Sequence, residues 1–89
     1  MIQEQVTIIN KLGLHARAAA KFVSTSGRFA SKIRVAKEGQ EVDGKSIMAV
    51  MMLAASKGTL LTLKIEGPDE EEAFHAIKAL IEDYFGEGE

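Results

Sequence analysis

The chain has 89 residues, of which 46% are hydrophobic and 27% charged, with a formal net charge of −2 and no cysteine. That length predicts one small domain over residues 1–89, in which only about three fifths to two thirds of the unfolded surface can be buried, and leaves no room for a deep catalytic cleft. Without cysteine there are no disulfide staples and no thiolate metal sites, and no run approaches the roughly 20 apolar residues that a membrane span requires.

Gln5 to Ile9 mixes β-branched with polar residues in near alternation and predicts a first strand, which Asn10-Lys11-Leu12-Gly13 breaks. From Ala16 a run of strong helix formers follows, with Ala16, Ala19, Ala20 and Val23 as its expected apolar face and Gly27 as its stop. Residues 31–37 alternate Ile33 and Val35 against Lys32 and Arg34, and Glu38-Gly39-Gln40 turns into a short return strand, Glu41 to Asp43. Ser46 stands at a natural N-cap before a second helix, with Val50, Leu53 and Ala54 as its expected core face and Gly58 as its end. Thr59 to Glu66 reads as a fourth strand with Leu61, Leu63 and Ile65 on one face. A third helix is expected after Gly67-Pro68, with Asp69 and Glu72 as a capping-box-like pair, Ala73, Phe74, Ile77, Leu80, Ile81 and Tyr84 as its stripe, and Gly86 as its end. The order βαββαβα buries these stripes most simply in an α+β fold, one sheet with helices over a single face.

The chemistry is concentrated in Gly13-Leu14-His15-Ala16-Arg17. If a helix begins just after His15, the imidazole lies at the positive end of a helix dipole beside N–H groups that have no intrahelical partner. That position favours the uncharged ring, whose lone pair can attack phosphorus. A phosphoryl group attached there would accept hydrogen bonds from the Ala16 and Arg17 N–H groups, with the Arg17 guanidinium adding a charge-assisted contact. A lone histidine before a helix is more often an ordinary surface or capping residue, so this spacing alone leaves both readings open.

The stretch Ile9-Asn10-Lys11-Leu12-Gly13-Leu14-His15-Ala16-Arg17, followed by a helix, closely resembles the active-site signature of the HPr family, the histidine-containing phosphocarriers of the bacterial phosphoenolpyruvate-dependent phosphotransferase system. Gly44-Lys45-Ser46-Ile47-Met48-Ala49-Val50-Met51 resembles the same family's regulatory-serine segment, and length and element order agree from end to end. The resemblance implies an open-faced β-sandwich, a four-stranded antiparallel sheet with three helices on one face. It implies that His15 takes a phosphoryl group on Nδ1 from phospho-enzyme I and passes it to an EIIA domain, with Arg17 and the Ala16 N–H steadying the phosphate. Ser46 would be the target of an HPr kinase/phosphorylase, a modification that a helix N-terminus tolerates. One departure stands out: many relatives carry proline where this chain has Ala18, which restores an N–H in the first helical turn and should alter stability rather than abolish chemistry.

Helix two is apolar all round, and so small a domain cannot bury every side of it. Ile47, Met48 and Met51 are therefore expected to form a partly exposed, adaptable patch; in the family the corresponding patch docks partners. Lys21 and Lys45 are expected at its rim. Residues 1–45 carry eight basic and four acidic side chains, residues 46–89 three and nine, which suits an acidic protein partner near the first half. Five aromatic residues and no dense basic stripe argue against nucleic acid. His75 reads as a surface residue of helix three. With no second acid–base group expected beside His15, no metal and no cofactor, the chain should act as a carrier rather than as an enzyme with turnover of its own. The absence of cysteine suits a cytoplasmic protein, and a monomer is expected. The competing readings are a regulatory HPr-like binding module that signals without carrying phosphate and, more remotely, a ligand-sensing α+β module.

Overall fold

The computed structural model describes residues 1–89 and contains β1 (Ile2–Thr7), α1 (Ala16–Ser26), β2 (Lys32–Lys37), β3 (Gln40–Asp43), α2 (Ile47–Met52), β4 (Leu60–Glu66) and α3 (Glu70–Glu82), followed by a short 3₁₀ turn at Tyr84–Gly86. The strands form one antiparallel sheet in the order β1-β4-β2-β3. Its inward face carries Ile33, Val35, Leu61, Leu63 and Ile65, all inaccessible to solvent. On the other face Glu41 joins Lys64 at 2.7 Å and Arg34 at 3.4 Å. The expected order βαββαβα and open-faced architecture are both present. No helix is long and apolar enough to cross a membrane.

The boundaries differ in instructive ways. The first strand lies earlier than Gln5 to Ile9, because pairing with β4 runs from Ile2 opposite Ile65 to Thr7 opposite Leu60. Ile8 still donates its N–H to the Thr59 carbonyl and is fully buried as the chain leaves the sheet. The β2–β3 hairpin closes through two residues only, Glu38 and Gly39, with φ of 49° and 86°, the left-handed pair that a tight hairpin turn of matching twist demands.

On α1 the buried residues are Ala18, Ala19, Phe22 and Ser26, so the expected face is rotated: Ala16 and Ala20 are exposed, and the large Phe22 sets the inward direction. Gly27 does end this helix, but in ordinary right-handed geometry. Helix α2 is shorter than its apolar run. It stops before Gly58 because Ala54 turns left-handed at φ 50°, and the Lys37 ammonium donates to the Leu53 carbonyl at 2.9 Å. Ala54 is therefore exposed rather than core, whereas Val50, Leu53 and Ala55 are buried.

The expected capping box of α3 does not form. Asp69 turns away from its own helix and accepts the N–H groups of Ala30 and Ser31, each at 2.9 Å, while Glu70 rather than Glu72 reaches back, to the Gly67 N–H at 3.1 Å. At the other end Tyr84 is exposed and Phe85 is the core residue. Tyr84 and Phe85 both hold left-handed φ, 56° and 54°. Such positions cost about 1–3 kcal/mol each, which burial of Phe85 offsets with roughly 2–3 kcal/mol. The Lys21 ammonium adds a hydrogen bond to the Phe85 carbonyl at 2.6 Å. This turn directs residues 86–89 back towards the loop before α1.

Candidate functional site

The loop between β1 and α1 is built on Asn10, which is fully buried. Its side-chain amide donates to the Gly13 carbonyl at 2.8 Å, and the Gly13 N–H returns to the Asn10 carbonyl at 3.2 Å. Gly13 is required twice over: its φ is 67°, and a Cβ would come within 2.8 Å of the Ser56 Cα. The Leu14 N–H donates to the Ala55 carbonyl at 2.8 Å, which fastens this loop against the segment following α2.

His15 follows as the N-cap of α1, in extended conformation, and its side chain does not cap the helix. Its carbonyl accepts the first helical bond, from Ala19. The N–H groups of Ala16, Arg17 and Ala18 have no backbone acceptor, so the helix presents three open donors beside the imidazole. Ala18 contributes its methyl to the core and its N–H to this open turn. The Arg17 guanidinium is exposed and makes no ion pair. It borders a depression shared with Lys11, Lys21, Glu87 and Glu89.

The expectation of no second acid–base group beside His15 is corrected. Glu87, 72 residues away in sequence, brings Oε2 onto His15 Nε2. Its other oxygen accepts from the Asn10 amide at 3.1 Å. Burial pushes the Glu87 carboxyl up, but hydrogen bonds from Asn10 and His15, with the charges of His15 and Lys21, outweigh it and hold the group below the usual glutamate range. With Nε2 engaged, Nδ1 is the ring nitrogen that has no partner.

At the second predicted position, Ser46 is the N-cap of α2, and its hydroxyl accepts from the Ala49 N–H at 3.3 Å. Beyond it Ile47, Met48 and Met51 are exposed by 43%, 71% and 38%, as a partly solvated patch requires, and Met52, which sequence reasoning left out, is exposed by 68%. Lys21 and Lys45 are less free than a rim role supposes, since their ammonium groups are tied to the carbonyls of Phe85 and Phe29. His75 is a surface residue of α3, tilted against Phe74. The structure thus brings His15, Arg17 and Lys21 together at one end, with Asn10 and Glu87 as members missed in sequence. Asn10 had a signal in the turn it opens. For Glu87 the only hint was the acidic second half.

Comparison with known proteins agrees over nearly the whole chain. A family model described as "PTS HPr component phosphorylation site" matches residues 2–83. The phosphocarrier protein HPr of Cupriavidus necator is 56% identical over 89 residues, all of both chains, and that of Pseudomonas aeruginosa 60% identical over 86 residues, 96% of each. A crystal structure of HPr-C-His from Thermoanaerobacter tengcongensis superposes with a TM-score of 0.94 at 49% identity, covering 98% of each chain.

Proposed function

This chain belongs to the HPr family of phosphocarrier proteins of the phosphotransferase system, and on that premise we propose that His15 is its phosphoryl acceptor, through Nδ1. One observation carries the reading: the imidazole stands at a helix N-terminus whose first three N–H groups are open, beside an unpaired guanidinium. Nδ1 attacks the phosphorus of phospho-enzyme I, charged from phosphoenolpyruvate, and the bond to the donor nitrogen breaks as the new one forms. The oxygens of the transferred group then settle on the Ala16 and Arg17 N–H groups and the Arg17 side chain. Transfer to an EIIA domain reverses these steps. The working unit is the monomer, because acceptor and cradle come from one chain.

The partner surface comprises Ile47, Met48 and Met51, with Lys21 and Lys45 at its edge. Methionine's flexible side chain suits a surface that accommodates several partners in turn. Ser46 is the proposed site of regulatory phosphorylation, where a dianion is welcomed by the α2 N-terminus and adds negative charge to a face that docks acidic proteins. The test is incubation with enzyme I and phosphoenolpyruvate. An acid-labile, base-stable mass gain of one phosphoryl group is expected, absent in His15→Ala and formed roughly tenfold more slowly in Arg17→Ala, whose exposed charge contributes less than a buried anion-hole donor. No gain in the unaltered protein contradicts the carrier reading and favours a purely regulatory module.

A further inference from the structure

We propose that Glu87 is a positioning residue for phosphoryl transfer, a carboxylate that holds the His15 ring by Nε2 so that Nδ1 presents its lone pair to the incoming phosphorus. The proposal rests on the carrier reading and assigns a task to the segment after α3. Both carboxylate oxygens are committed, one to His15 and one to Asn10, and the Glu87 side chain is only 12% exposed. Asn10 is itself locked, since its amide also serves the Gly13 carbonyl in the turn that leads to His15. The returning segment is anchored at three further points. Phe85 is fully buried, its carbonyl takes the Lys21 ammonium, and the Lys11 N–H donates to the Glu89 carbonyl at 3.0 Å. Left-handed φ at two consecutive aromatic residues persists only where the surroundings impose it, and here it brings the carboxylate to the ring.

The chemistry follows from what a carboxylate can do. Ionised, it has acceptor lone pairs and no donor, so its bond to Nε2 requires the proton on that nitrogen and leaves Nδ1 as the nucleophile. When Nδ1 bonds to phosphorus and the donor nitrogen departs, the Nε2 proton stays in place and the ring gains positive charge. Glu87 faces that charge across the ring. On outward transfer the Nδ1–P bond breaks, the ring becomes neutral again and the same proton is still held. No proton has to leave in either direction.

The experiment compares the unaltered chain with Glu87→Ala and Glu87→Gln. Nitrogen NMR of the His15 ring, at a pH where the ring is neutral, reads which nitrogen carries the proton, and single-turnover uptake from phospho-enzyme I reads the rate. The unaltered protein should hold its proton on Nε2, with slow exchange of that proton. Glu87→Ala should mix the two tautomers, speed the exchange and slow uptake roughly tenfold, well short of the ~10⁴ seen where a buried triad carboxylate loses its charge. Glu87→Gln keeps one acceptor for two donors, Asn10 and His15, and should fall between. An unchanged tautomer ratio and uptake rate in a folded Glu87→Ala would overturn the proposal. Failure of the unaltered chain to take up phosphate would defeat the carrier reading and this role with it, and the ring spectrum distinguishes that failure from loss of the contact.

Discussion

Helices α1 and α2 begin in opposite ways. At α2, Ser46 closes the first turn with its own hydroxyl, leaving a helix end that serves itself. At α1 the N-cap is His15, whose side chain turns to Glu87, and the first N–H groups stay open. A serine or aspartate at position 15 would be the stabilising choice, by roughly 1 kcal/mol. Helix α1 thus gives up a cap and leaves its first N–H groups open, as the proposed phosphoryl site requires, while α2 keeps its cap. Helix α3 is a third case, in which the N-cap Asp69 leaves its own helix to hold Ala30 and Ser31.

Capping variants test this contrast most strongly. His15→Ser should be about 1 kcal/mol more stable than His15→Ala in chemical denaturation, since both lose the Glu87 contact and only serine can close α1. Equal stabilities would mean that the α1 end is already satisfied. Ser46→Ala should cost about 0.5–1 kcal/mol, the lower part of the capping range, because the existing bond is long at 3.3 Å. A smaller effect is expected at Asp69, whose carboxyl is held below its ordinary value of 3.8, first by the Ser31 hydroxyl and then by the Ala30 N–H. In the window below 3.8 the unfolded chain binds more protons, so this contribution is present above it and is lost as pH falls. Asp69→Asn should therefore flatten the fall in stability measured between about pH 5 and pH 2, and an unchanged slope would show that the latch does not matter.

Much of this was legible in sequence because it is local. Alternation marked the inward residues of β2 and β4, and the run from His15 to Arg17 together with Ser46 pointed to both helix ends. What was not legible depends on distant parts of the chain. The α1 face was misjudged because four alanines give little direction and Phe22 decides it. Helix α2 ends at Met52, with Ala54 turning left-handed where the Lys37 ammonium of β2 reaches the Leu53 carbonyl, and Asp69 serves a loop 38 residues earlier. Glu87 is the furthest of these. Two aromatic residues forced into left-handed geometry place it, and no local pattern announces such a turn.

The most direct test of the open α1 end is a ¹H–¹⁵N correlation spectrum of the chain before and after phosphorylation by enzyme I. The Ala16 and Arg17 amide signals should move farthest and downfield, as expected of N–H groups that acquire a phosphoryl oxygen, while Ala49 beside Ser46 stays near its original position. Amides of Ala16 and Arg17 that remain in place while phosphate is bound would contradict it.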